Sequence, residues 1–209
     1  MKEATEIFGK WAEEGKDIGM ETGHANSVNE MLDYALEERS NLEKKFSFLD
    51  LGCGNGWVVR NVSKNPLCSK AVGIDGAEQM IINAKKIGGQ GNYILADINS
   101  YIPSRKFDLI HSMEVLYYLE DPAKKVKNFY DDWLEEEGRL IIGIDHYYEN
   151  LDSHSWEKKV GTPMLMLKEA EWLDIFNESG LSDIKSWRSN HSENCVGTLV
   201  ITGLKEKMI

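Results

Sequence analysis

Phe48-Leu49-Asp50-Leu51-Gly52-Cys53-Gly54-Asn55-Gly56-Trp57 is the stretch that decides how this chain folds. With Phe46 before it, it opens on a nearly continuous apolar run, as a strand covered on both faces of a parallel sheet requires. Three alternating glycines follow. Lacking Cβ, they let the backbone turn tightly and approach a bound molecule closely. Trp57-Val58-Val59 then begins a helix, whose first N–H groups have no partner within the helix and can receive an anionic group. The stretch reads as strand, ligand-cradling loop and helix. The alternative is a glycine turn that serves only tight strand–helix packing.

Spacing narrows the ligand. A dinucleotide loop reads G-x-G-x-x-G, whereas these glycines stand at 52, 54 and 56 behind Asp50. Val72-Gly73-Ile74-Asp75 is a second short strand ending in an acid, and a carboxylate there can accept from both hydroxyls of a ribose. Tyr93-Ile94-Leu95-Ala96-Asp97-Ile98 is a third strand ending in an acid. Phe107 to Leu119 reads as a fourth strand and a following helix, and Gly138-Arg139-Leu140-Ile141-Ile142-Gly143 as the entry to a fifth strand. In this order, from about Phe46 to Gly143, the segments resemble the class I S-adenosylmethionine-dependent methyltransferases, whose first motif is D-x-G-x-G-x-G. Tyr118 stands where many relatives carry His, and Trp57 where a smaller residue is frequent.

The resemblance implies an α/β fold, a seven-stranded Rossmann-like sandwich whose sheet is mostly parallel with the last strand antiparallel. It implies S-adenosylmethionine as methyl donor and S-adenosylhomocysteine as product. On it, the loop of Gly52, Cys53, Gly54 and Gly56 faces the methionine portion, Asp75 the ribose, and Asp97 with Ile98 the adenine; Asp50 and Gly76 are further cofactor-binding residues. Met80 either packs against adenine or belongs to the core. Met113 and Glu114 fall near the methionine portion.

Composition bounds the rest. The 209 residues suffice for one sizeable α/β core, taken as a single domain with residues 1–44 a helical extension and 45–209 the catalytic core. A net charge of −11 disfavours nucleic-acid partners, since such binding rests on basic patches; Lys124-Lys125-Val126-Lys127 and Lys158-Lys159 read as solvated helix faces. Cys53, Cys68 and Cys195 lie far apart in no ligand spacing, so neither a disulfide framework nor a metal site is expected. With no secretory signal and no membrane span in view, a cytoplasmic location is expected. The sequence leaves the oligomeric state open.

Strand and helix signals continue through the remainder. Ile7, Phe8, Trp11 and Ala12 form one amphipathic face; Gly15, Gly19 and Gly23 then interrupt it. Asn26 or Ser27 is placed to cap a second helix carrying Val28, Met31, Leu32, Ala35 and Leu36. The first helix and the segment Met20-Glu21-Thr22-Gly23-His24, extended to Ser27, are read either as a lid that orders over the donor or as an ordinary packed extension. Lys168 to Ser179 reads as a helix ended by Gly180, with Ile184–Trp187 and Thr198–Leu204 as the last strands.

After the fifth strand comes a long segment rich in aromatic and polar residues, where the acceptor is expected. His146, Tyr147, Tyr148 and Trp156, with Tyr117, are its candidate substrate contacts. Methyl transfer is an in-line displacement, so alignment supplies much of the rate. A base is needed only if the nucleophile arrives protonated, and His146 and Tyr117 are the candidates; the alternative for His146 is a structural histidine. The expected acceptor is a small molecule. A protein or peptide acceptor, or a non-catalytic cofactor-binding module, is the alternative.

Overall fold

In the computed structural model, which describes residues 1–193 and 195–207, the apolar runs pair into one seven-stranded sheet. Its strands are β1 (Phe46–Leu51), β2 (Cys68–Asp75), β3 (Asn92–Leu95), β4 (Phe107–Met113), β5 (Leu134–Ile144), β6 (Ser182–Ser189) and β7 (Thr198–Leu204). They lie in the order β3-β2-β1-β4-β5-β7-β6. The first five run parallel, and β7 is antiparallel to both β5 and β6. Strand order reverses between β1 and β4, and a crevice opens beyond the carboxyl ends at such a point.

Side chains on alternate strand positions feed two cores. Phe48, Leu109 and Ile141 face α2 (Asp17–Asn41) and α3 (Trp57–Val62), packing with Val28, Met31 and Val59. Leu49, Ile110 and Ile142 point to the other face and join Phe129, Trp172 and Phe176. The helices on that second side are α5 (Pro122–Asn128) and α6 (Glu169–Ser179); α4 (Glu78–Ile87) adjoins β2 and β3, and α1 (Ala4–Glu13) packs on α4. Gly180 closes α6 in the left-handed conformation. No described helix is long and apolar enough to cross a membrane.

Four local expectations are corrected. The helix over 17–41 runs unbroken through Gly19 and Gly23, so Asn26 and Ser27 lie in its interior and cap nothing. Each glycine costs a helix about 1 kcal/mol relative to alanine, which the buried stripe Val28, Met31, Leu32 and Ala35 offsets. The chain turns instead at Gly15, with φ +72°. β3 stops at Leu95, leaving Asp97 in a loop. The segment after β4 is a single 3₁₀ turn, Leu116–Tyr118, rather than a full helix. β5 begins at Leu134 and is irregular before Gly138, where a Cβ would lie 2.6 Å from the Glu135 carbonyl oxygen.

Candidate active site

The glycine loop turns at the carboxyl end of β1, and two of its glycines are required by their neighbours. Gly52 has φ +66°, and a Cβ there would lie 2.3 Å from Val115 Cγ2. Gly56, at the entry to α3 with φ +79°, would meet the Tyr93 ring at 2.4 Å. Gly54 is different: a Cβ there would meet only Met80 Sδ, at 3.9 Å, so a side chain would project into open space. That space is a cavity of about 660 Å³, within the range that holds small-molecule ligands (about 300–1,000 Å³).

Two carboxylates brace the loop from behind. Asp75, at the end of β2, accepts from the backbone N–H of Gly54 (2.9 Å) and of Ala77 (2.8 Å). Burial nevertheless pushes its carboxyl up to about 6, because desolvation outweighs those two donors. Asp50 is buried, paired across the sheet with His111 in register, and its Oδ1 lies 2.7 Å from His111 Nδ1. Burial raises the Asp50 carboxyl despite that partner. His111 Nε2 is buried with no hydrogen-bond partner among the described residues. Cys53 is held protonated, its thiol raised by burial and then by Asp75 and Asp50. It packs beneath Gly73, where a Cβ would lie 2.7 Å from it.

Asp50, Gly52, Cys53, Gly54, Asp75, Gly76, Met80, Asp97, Ile98 and Met113 all border the cavity; Gly56 does not. Asp97 is exposed and held by its own turn, accepting from the Asn99 N–H at 2.9 Å. Met80 is buried, borders the cavity and packs with Ala12 and Ala77.

The opposite wall carries polar groups on aromatic surfaces. Glu114, with φ +60°, accepts from the Tyr117 hydroxyl at 2.6 Å and from the backbone N–H of Asp145. Burial and then the Asp145 charge push its carboxyl well above the usual range. Tyr118 lies beside Tyr117, ring centroids 4.5 Å apart, and Phe8 of α1 meets Tyr118 edge-on at 5.4 Å. His24 of α2 lies 3.8 Å from Asp145 Oδ2, and burial lowers its pKa more than Asp145 raises it.

Of the expected acceptor contacts, Tyr117 and Trp156 border the cavity. His146, Tyr147 and Tyr148 do not. His146 is buried behind Tyr117, its Nδ1 3.1 Å from the Ser153 carbonyl oxygen, which anchors the loop. Tyr147 is buried, donates to the Gly197 carbonyl and lies under the Arg188 guanidinium. Tyr148 is half-exposed against Lys168. Phe8, Trp11, Glu21 and His24 border the cavity from the segments read as a possible lid, and Asn55 and His111 border it without having been singled out for it. His111 depends on the pairing of β4 with β1.

The residues present fit a nucleoside-bearing donor. A glycine opening on free space and two backed carboxylates beside it supply the shape and the hydrogen-bonding groups. Residues 49–142 match a family model described as a methyltransferase domain. Over 117 residues the chain is 31% identical to malonyl-[acyl-carrier protein] O-methyltransferase 2 of Ilyobacter polytropus, covering 53% of this chain and 45% of the relative. The chain thus spans about half the length of the curated relatives it matches. Among solved structures it resembles a Haloferax volcanii chain from the complex of the Trm112 methyltransferase activator with its methyltransferase. That match has a TM-score of 0.82 at 21% identity, covering 99% of this chain and 100% of the other. It also resembles magnesium protoporphyrin IX methyltransferase of Synechocystis with bound S-adenosylmethionine: TM-score 0.66, 17% identity, 90% of this chain and 82% of the other. At such identities the structural likeness concerns the fold.

Proposed function

This chain belongs to the class I S-adenosylmethionine-dependent methyltransferases, and from that premise we propose that it methylates a small-molecule acceptor held under α1. The observation that carries the reading is the cavity's second end: beyond the glycine loop it continues between Phe8, Tyr117, Tyr118 and Trp156. Space of that kind accepts an apolar body next to the donor.

In this reading Asp75 accepts from the ribose hydroxyls, Asp97 and Ile98 hold the adenine, and the Gly52–Gly54 backbone follows the methionine portion. The chemistry supplied by the bound donor is a methyl carbon made electrophilic by its sulfonium. The chain's own part is alignment and exclusion of water. Helix α1 covers the cavity with Thr5, Phe8 and Trp11, and Tyr117 is locked by its hydrogen bond to Glu114 so that the acceptor wall is rigid. Tyr117 stays a protonated phenol, raised by burial and then by Glu114, so it orients an acceptor rather than deprotonating one. His146, behind it, steadies the wall through the Ser153 loop.

A second reading, transfer to a protein or peptide with an activating partner, is favoured by the Trm112 complex of the similar Haloferax chain. A methyl-labelled donor screened against amines, thiols, phenols and carboxylates, with basic proteins and transfer RNA in parallel, separates the two. Label in small molecules is expected; label confined to protein or RNA would refute the small-molecule reading.

A further inference from the structure

The charge of the cavity names an acceptor class, an inference that rests on the methyltransferase reading above. Seven of the described residues lining the cavity are acids, Glu114, Asp50, Asp75 and Asp97 among them, and none of the described lining residues is a lysine or arginine. An anionic acceptor would have to be desolvated here without a cation to pair with, whereas recognition of carboxylate or phosphate ordinarily uses Arg or Lys.

The acceptor end has the complementary character for a cation. Tyr118, Trp156 and the edge-packed Phe8 line it, and aromatic rings attract ammonium groups. Glu114 sits on its floor, with Asp145 directly behind: Asp145 Oδ1 is buried with no hydrogen-bond partner among the described residues. His111, whose side chain is fully buried on the cavity wall, likewise leaves Nε2 without a donor. With Nδ1–H given to Asp50, that nitrogen is an acceptor. Two buried acceptor atoms lacking N–H partners, in or beside a cavity without cations, call for a ligand that brings N–H groups.

We propose that the methyl acceptor is an amine with an apolar body, drawn into the site as its ammonium ion and methylated on nitrogen. One proton passes from the ammonium to His24, which borders the cavity and which burial keeps neutral. The freed nitrogen lone pair forms the N–C bond as the S–C bond breaks, its electron pair remaining on sulfur. Positive charge thus moves from sulfonium to methylammonium without leaving the acidic site, so the same carboxylates serve reactants and products. His24 returns its proton to solvent when the site opens.

Calorimetry on the full chain saturated with S-adenosylhomocysteine tests this, with 2-phenylethylamine, tryptamine and hexylamine as probes against 2-phenylethanol and 3-phenylpropanoate. The amines are expected to bind at least tenfold tighter than the alcohol, with no binding of the carboxylate. Asp145→Asn is expected to weaken the amines about tenfold while leaving S-adenosylhomocysteine affinity in place, which also reports that the variant folds. Equal or tighter binding of the alcohol or carboxylate, no binding by any amine, or amine affinity indifferent to that substitution would overturn the proposal. Failure of S-adenosylhomocysteine itself to bind would instead remove the methyltransferase reading on which it stands.

Discussion

In the proposed function Asp75 is the residue on which donor binding turns. A ribose diol offers its carboxylate two charge-assisted hydrogen bonds, each worth about 1.5–3 kcal/mol, and its removal also frees the Gly54 and Ala77 N–H groups. Asp97 is exposed and partnered within its own turn. Asp75→Ala is therefore expected to weaken S-adenosylhomocysteine by about 100-fold and Asp97→Ala by no more than about tenfold; titration calorimetry showing the reverse would mean the two roles are exchanged. The raised carboxyl adds a pH signature. With the group at about 6 in the free protein, a diol binding the ionised form loses affinity as pH falls below 6, approaching tenfold per unit. Asp75→Asn should abolish that step. For folding the sign is opposite: the native state holds this proton more firmly than the unfolded chain, so the contribution of Asp75 to stability declines from about pH 4 to 6. A pH series of urea melts, wild type against Asp75→Asn, reads that difference.

At the scale of elements, both parts of the expected cover border the cavity: α1 through Thr5, Phe8 and Trp11, and the segment Met20–Ser27 through Met20, Glu21 and His24. That segment belongs to a 25-residue helix anchored in the core, and Gly15 turns the chain between it and α1. The seat of α1 is close: a Cβ on Gly76 would lie 2.6 Å from Thr5 Cγ2. Hydrogen exchange with and without S-adenosylhomocysteine should show α1 gaining the larger protection and residues 24–36 little change. Protection confined to the Gly52–Gly56 loop would make α1 a fixed structural cover.

Across the whole molecule, Arg139 ties four elements together at the end of the sheet away from the cavity. Its guanidinium, almost wholly buried, donates to Glu38 of α2 at 2.8 and 2.7 Å, to Asp183 of β6 at 2.8 Å and to Thr202 of β7 at 3.2 Å. Breaking a buried ion pair by removing one partner costs about 3–5 kcal/mol. Glu38 is partly exposed and can rehydrate, so Arg139→Ala is expected at the lower end, near 3 kcal/mol in a urea melt. Donor affinity of the folded fraction should be unchanged, because the network does not border the cavity. A large loss of affinity at low denaturant would show that the two ends of the sheet are coupled.

The residues alone determined the parts of this protein governed by local rules. Apolar runs specified the strands, alternate glycines specified the loop, and Asp50, Asp75 and Asp97 marked the rim of one cavity, because each pattern spans only a few residues and period two or three-and-a-half suffices to read it. Thr198–Leu204 came out as expected for the same reason. Gly19 and Gly23 misled, since a local propensity of about 1 kcal/mol yields to a buried stripe further along the helix. The acceptor end was beyond local rules. His146, Tyr147 and Tyr148 follow β5 directly, yet their side chains are drawn into packing against Ser153, Gly197 and Lys168. His24, His111 and Phe8 reach the cavity from segments far apart in the chain. Only the docking of α1 and α2 and the register of β4 on β1 bring them there, because which groups share a cavity is set by non-local packing that no short stretch encodes.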